Sequence, residues 1–141
     1  MRSMLSSNER ELSLLRDEMK VLDSYLALQK LRFGDNLVVK LDVPESSFHL
    51  ALPPLSLQML AENAMKHNII TREKPLEIRV FVDEKAIVVK NNLQPRSGVP
   101  TSGKGLENIA GRYAHFTTRK PEIDQENGWF SVSLPLLEVE L

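Results

Sequence analysis

The 141-residue chain contains no cysteine. Disulfide staples, thiolate chemistry and cysteine-ligated zinc are therefore excluded. It also has no excess of charge. The 18 Lys+Arg stand against 19 Asp+Glu, a net charge of −1, which leaves no basic footprint for nucleic acid. No stretch approaches the roughly 20 apolar residues that cross a bilayer. The start, Met1 to Asn8, has no apolar run of the kind that makes a signal peptide. Hydrophobic and charged contents of 42% and 26% exclude wholesale disorder, and the length suits one globular domain with a proper core.

Glycine and proline are missing from Asn8 to Phe33. There the apolar residues Leu12, Leu15, Met19, Leu22 and Leu26 recur three and four apart, which predicts a long amphipathic helix closed by Gly34-Asp35-Asn36. It is either a core helix of the domain or one whose far side packs on a partner chain. Leu37 to Val43 reads as a strand. Leu55 to His67 reads as a second helix, with Pro54 suited to its first turn. Leu76–Val82 and Ala86–Lys90 form a predicted hairpin. Asn92 to Lys104 is rich in Pro, Gly, Ser and Thr, and a loop of that length is usually functional or mobile. A helix from Leu106 to Phe116 follows, then a closing hairpin around Glu126-Asn127-Gly128. This order predicts an α/β (α+β) fold, a two-layer sandwich with a mixed, mostly antiparallel sheet covered by helices on one face.

On the second helix, Leu57, Leu60, Ala61 and Ala64 fall on one side. Glu62 and Lys66 lie one turn apart on the opposite side, flanked by Asn63. The plain reading of such a trio is a solvated face with a weak ion pair. Gly103-Lys104-Gly105 sits between the loop and the third helix. Glycines there let backbone N–H groups approach an anion, and a helix N-terminus favours negative charge. The two segments together could hold a nucleotide triphosphate and its Mg²⁺, with Asn63 as an oxygen ligand.

The run Leu52-Pro53-Pro54-Leu55-Ser56-Leu57-Gln58-Met59-Leu60-Ala61-Glu62-Asn63-Ala64-Met65-Lys66-His67-Asn68 resembles the N-box of LytS-type sensor histidine kinases, of the GHKL ATPase superfamily. Gly103 to Tyr113 resembles that family's G2 box with its following helix. Glu18 to Phe33 is similar to the helix leading from the dimerisation region into the ATP-binding domain. The likeness runs from about Leu12 to Leu136.

The resemblance implies that residues 1–34 are the end of a dimerisation region and that 35–141 are the ATP-binding catalytic domain, with the GHKL ATPase fold. Asn63 would coordinate Mg²⁺, and Glu62 would order metal-bound water or polarise the nucleophile. Lys66 and His67 would lie near the phosphates. Gly103, Lys104, Gly105 and Leu106 would form the G2 site, with Gly103 and Gly105 as the hinge of a lid, Asn92 to Lys104, that closes over the triphosphate. Where most of the superfamily has an aspartate for the adenine amine, this chain has Asn91, and the glycines after it are missing. An asparagine carbonyl still accepts from that amine but without the charge assistance.

His49, His67 and His115 share no metal-ligand spacing, and none lies on the first helix. The phosphoacceptor histidine is therefore expected outside this chain. The implied activity is that of a protein histidine kinase, with ATP and Mg²⁺ as cofactors. The implied partners are the dimerisation and phosphoacceptor helices of the same protein, a second copy in a homodimer, and a downstream response regulator. The implied setting is the cytoplasmic part of a membrane-anchored sensor. Two other readings compete. One is a degenerate, non-catalytic interaction module, prompted by the missing glycines. The other is a GHKL kinase acting on serine, which the first helix argues against.

Overall fold

The computed structural model describes residues 11–98 and 104–139. Its elements in chain order are β1 (Ser13–Leu14), α1 (Leu15–Phe33), β2 (Leu37–Asp42), β3 (Ala51–Leu52), α2 (Ser56–His67), β4 (Leu76–Asp83), β5 (Ala86–Asn92), α3 (Lys104–Tyr113), β6 (Glu122–Glu126) and β7 (Trp129–Pro135). Five strands form one sheet in the order β2-β4-β5-β7-β6, while β1 and β3 make a separate two-residue pair. β2 runs parallel to β4, and every other pairing is antiparallel. The sheet is thus mixed and mostly antiparallel, as the sequence predicts.

β4 shows why one face is covered. Leu76, Ile78 and Val80 are fully buried, while Glu77, Arg79 and Phe81 between them are only partly so, the alternation of a strand with one face on a core. The register places Ile78 opposite Asn91, and Val80 opposite Val89 and then Val132. These side chains meet Leu15, Leu22 and Leu26 of α1, Leu57, Leu60, Ala61 and Ala64 of α2, and Ile109 and Tyr113 of α3 in one core. Tyr113 is buried and donates to Pro135 O at 2.6 Å, tying α3 to the end of β7.

The other face is mixed, with Phe81 opposite Val88 beside charged side chains. Arg79 and Lys90 hold their cations 4.4 and 4.9 Å from the Trp129 ring centroid, and Glu77 pairs with Arg79 and Lys40. Of the two late aromatics, Phe130 packs against the core and Trp129 serves as a platform for cations.

Local chemistry sets several boundaries. Gly34 ends α1 at φ 56° and returns its N–H to Lys30 O. Asn127 and Gly128 both have positive φ, 54° and 80°, which a two-residue hairpin turn of this twist demands. Several boundaries need correction. α3 spans Lys104–Tyr113 and not Leu106 to Phe116, and Asn92 and Lys104, expected in the loop, belong to β5 and α3. α1 begins at Leu15, because Ser13 and Leu14 pair with Leu52 and Ala51 as a strand. α2 begins at Ser56, after a left-handed Leu55 (φ 63°), so Pro54 precedes the helix and does not sit in its first turn.

Candidate nucleotide site

α2 turns Leu57, Leu60, Ala61 and Ala64 into the core and leaves Glu62 and Lys66 exposed, with Asn63 half-buried between. Glu62 accepts a long hydrogen bond from Gln58 Nε2, 3.3 Å. The helix thus presents the face expected of it.

α3 meets that face at its first turn. A Cβ built on Gly105 would lie 3.2 Å from Asn63 Nδ2 and 3.7 Å from the Met59 sulfur. Hence Gly105 lets the backbone at the start of α3 lie directly against the Asn63 carboxamide. Lys104 opens the helix, and Leu106 packs against the core. Gly103 and the stretch 99–103 of the expected lid lie outside the described residues. Two segments some forty residues apart in sequence are therefore adjacent in space.

Asn91 is buried, 3% exposed, on the helix-covered side of the sheet at the end of β5. Its Nδ2 donates to Asn92 O at 2.8 Å, which leaves the side-chain oxygen as the acceptor. The segment after it is fixed to the end of α2. Gln94 N donates to Asn68 Oδ1 (2.9 Å), Ile69 N to Gln94 O (2.8 Å), and Arg96 N to His67 O (2.9 Å). The Gln94 carboxamide donates to Ile69 O and Lys74 O, both at 2.7 Å. Amide side chains thus hold this segment, where the resemblance led one to expect glycines. This network was not foreseen, although the cluster Asn91, Asn92 and Gln94 was its signal in the sequence.

His67 at the end of α2 is partly buried, and its Nδ1 finds no partner among the described residues. His49 and His115 are exposed and lie elsewhere. Among the described residues no three His, Asp or Glu gather as a metal cluster.

A residue of α1 not foreseen as part of the site reaches α2. Tyr25 donates to the Met65 sulfur at 3.8 Å, and its phenol is held above its usual range by burial and then by the Glu62 charge. Glu18 is buried, and that burial raises its carboxyl above the ordinary range.

A family model for histidine kinases matches residues 1–37. The chain is 32% identical over 95 residues to Sensor protein LytS of Staphylococcus haemolyticus, a match covering 64% of this chain and 16% of that protein. The chain spans less than a fifth of the length of this relative. Among solved structures, the cytoplasmic segment of histidine kinase QseC superposes with a TM-score of 0.61 at 16% identity, covering 99% of this chain and 85% of that one. The catalytic domain of histidine kinase ThkA gives 0.57 at 14% identity, with 92% and 98% covered. At such identities the structural likeness establishes the fold. The chain has the fold of histidine kinase catalytic domains and is similar in sequence to the LytS-type sensor histidine kinases.

Proposed function

We propose that this chain is the ATP-binding catalytic part of a two-component sensor histidine kinase, presenting Mg-ATP for phosphorylation of a histidine that lies outside residues 1–141. The observation that carries the reading is the contact of Gly105 with Asn63, which joins a carboxamide ligand to a helix N-terminus. Phosphoryl transfer is mainly positioning and neutralisation of charge, so a site needs ligands and dipoles more than reactive groups.

In this reading the Asn63 side-chain oxygen holds Mg²⁺, as suits a hard cation that keeps several waters. Bound there, the cation supplies charge neutralisation at the phosphate oxygens. Glu62, exposed beside Asn63, orders water or polarises the attacking imidazole. The N–H groups of Lys104, Gly105 and Leu106, with Gly103 before them, receive phosphate oxygens. Lys66 and His67 lie along the triphosphate, and the His67 Nδ1, without a partner among the described residues, suits a polar ligand. The Asn91 oxygen accepts from the adenine amine.

The same reading makes residues 1–34 the end of the dimerisation region and 35–141 the catalytic unit. The partners are then the phosphoacceptor helices of the same protein in a homodimer, with a response regulator downstream. Among the described residues no helix is long and apolar enough to cross a membrane. By its likeness to Sensor protein LytS, the reading sets this part on the cytoplasmic side of an anchored sensor.

The test is a longer protein carrying the upstream helices, given radiolabelled ATP. Label on histidine, lost in Asn63→Ala, is the expected result. An unlabelled protein with Glu62 and Asn63 intact would sink the reading.

A further inference from the structure

α2 ends on a buried amide. Asn68, its C-cap residue, is 5% exposed and uses both ends of its carboxamide. Nδ2 donates to Ala64 O within the helix (2.8 Å), and Oδ1 accepts from Gln94 N (2.9 Å). Asn68 and Pro95 form an antiparallel bridge, so residues 94–96 run back along 67–69. The Gln94 side chain reaches on to the loop before β4. Its Nε2 donates to Ile69 O and Lys74 O at 2.7 Å, with Pro75 O at 3.2 Å. Asn92 joins the same network. Its Oδ1 accepts from Glu77 N at 2.7 Å, and its Nδ2 donates to Pro75 O (3.2 Å) and Gln94 Oε1 (3.4 Å). Leu93 N donates to Gly128 O of the β6–β7 turn at 2.7 Å. Three successive residues are thus bonded to three different elements: Asn92 to β4, Leu93 to the β6–β7 turn, and Gln94 to the end of α2. A polar network with its members paired in this way rigidifies what it holds.

Asn91 stands directly before this segment. Its Nδ2 donates to Asn92 O at 2.8 Å, so the direction of its side-chain oxygen depends on where the Asn92 carbonyl is held. We infer that Gln94 is a positioning residue for base recognition: its side chain ties the end of β5 to the loop 69–75, holds Asn92 in place, and so aims the Asn91 oxygen at the 6-amino group of a purine. The inference rests on the nucleotide-site reading above. Gln94 acts through Asn92 and Asn91 and touches no reacting group.

The test compares Gln94→Ala with Tyr113→Phe in the full chain, Tyr113 being a buried residue of α3 bonded to Pro135 O and absent from this network. Three quantities are read: melting temperature, the side-chain amide resonances of Asn91 by NMR, and the ratio of affinities for Mg-ATP and Mg-inosine triphosphate. Inosine carries an oxygen where adenine carries its amine. Gln94→Ala is expected to move the Asn91 resonances and to lower the preference for ATP about fivefold, the size of one neutral hydrogen bond. Tyr113→Phe, at an equal or larger loss of melting temperature, is expected to leave both nearly unchanged. Asn91 resonances that stay put in Gln94→Ala, or that move equally in Tyr113→Phe, overturn the inference. So does an ATP preference that Gln94→Ala leaves intact, or an unsubstituted chain that binds the two nucleotides alike. If the unsubstituted chain binds no Mg-ATP, the functional reading fails, while the resonance comparison still decides whether Gln94 positions Asn91. If Gln94→Ala does not fold, Gln94→Met keeps the side-chain bulk and removes the donor. The same displacement is then expected, and its absence overturns the inference.

Discussion

Gly105 of α3 stands so close to Asn63 of α2 that a Cβ at residue 105 would lie 3.2 Å from the carboxamide nitrogen. Replacing a helical glycine by alanine ordinarily stabilises by about 0.5–1 kcal/mol. Here the added methyl must push the Asn63 side chain by a few tenths of an ångström. Gly105→Ala is therefore expected to keep or raise the melting temperature while Mg-ATP affinity falls severalfold. Calorimetry beside thermal melting checks it, and an unchanged affinity would contradict the site geometry.

Asn91 uses its amide to donate to Asn92 O inside a nearly solvent-free environment. An aspartate there gains charge toward an adenine amine but loses that donor and sets an acceptor against an acceptor. Asn91→Asp is thus expected to lower stability without nucleotide by about 1–3 kcal/mol, the usual effect of an unsatisfied buried group. Urea denaturation of the free protein measures this. A variant as stable as the parent would show that the Asn91–Asn92 bond carries no weight.

Glu18 gives the fold a specific response to pH. Burial, with a smaller contribution from the Asp17 charge, holds its carboxyl above the ordinary range. The folded state therefore binds the proton more tightly than the unfolded state. The contribution of Glu18 to stability is greatest below the ordinary carboxylate range. It declines as pH rises through that range and levels off once the buried group ionises. Glu18→Gln is expected to flatten that part of the curve. If urea midpoints of parent and variant run parallel from acid to neutral pH, the buried carboxyl does not titrate as described.

Tyr113 spans from α3 to β7, and burial holds its hydroxyl far above the usual range, so it stays a donor to Pro135 O. Tyr113→Phe leaves that carbonyl unpaired in the core and is expected to cost about 1–3 kcal/mol. No loss in chemical denaturation would mean that the bond is replaced.

Much of this could be read from periodicity. The stripe on α1, the split faces of α2 and the two hairpins rest on local spacing, and the structure returns them within a few residues. What escaped were features set by tertiary contact. Ser13 and Leu14 continue a helical pattern, yet they pair with β3 as a strand, because Leu52 and Ala51 offer backbone partners there. The burial of Glu18, within the stretch Asn8 to Phe33 predicted as an amphipathic helix, is set by tertiary packing and not by spacing. Trp129 of the closing hairpin is turned outward by the register under two cations, which spacing alone does not reveal. The roles of Glu62, Asn63 and Lys66 came from resemblance, since an exposed charged face alone does not distinguish a ligand site from solvated surface.

The most direct measurement of the central claim is calorimetric titration of this chain with Mg-ATP, run in parallel on Asn63→Ala. Saturable binding by the parent, lost when Asn63 is replaced, is the predicted result. No heat of binding at millimolar Mg-ATP, or equal binding by both proteins, would contradict it.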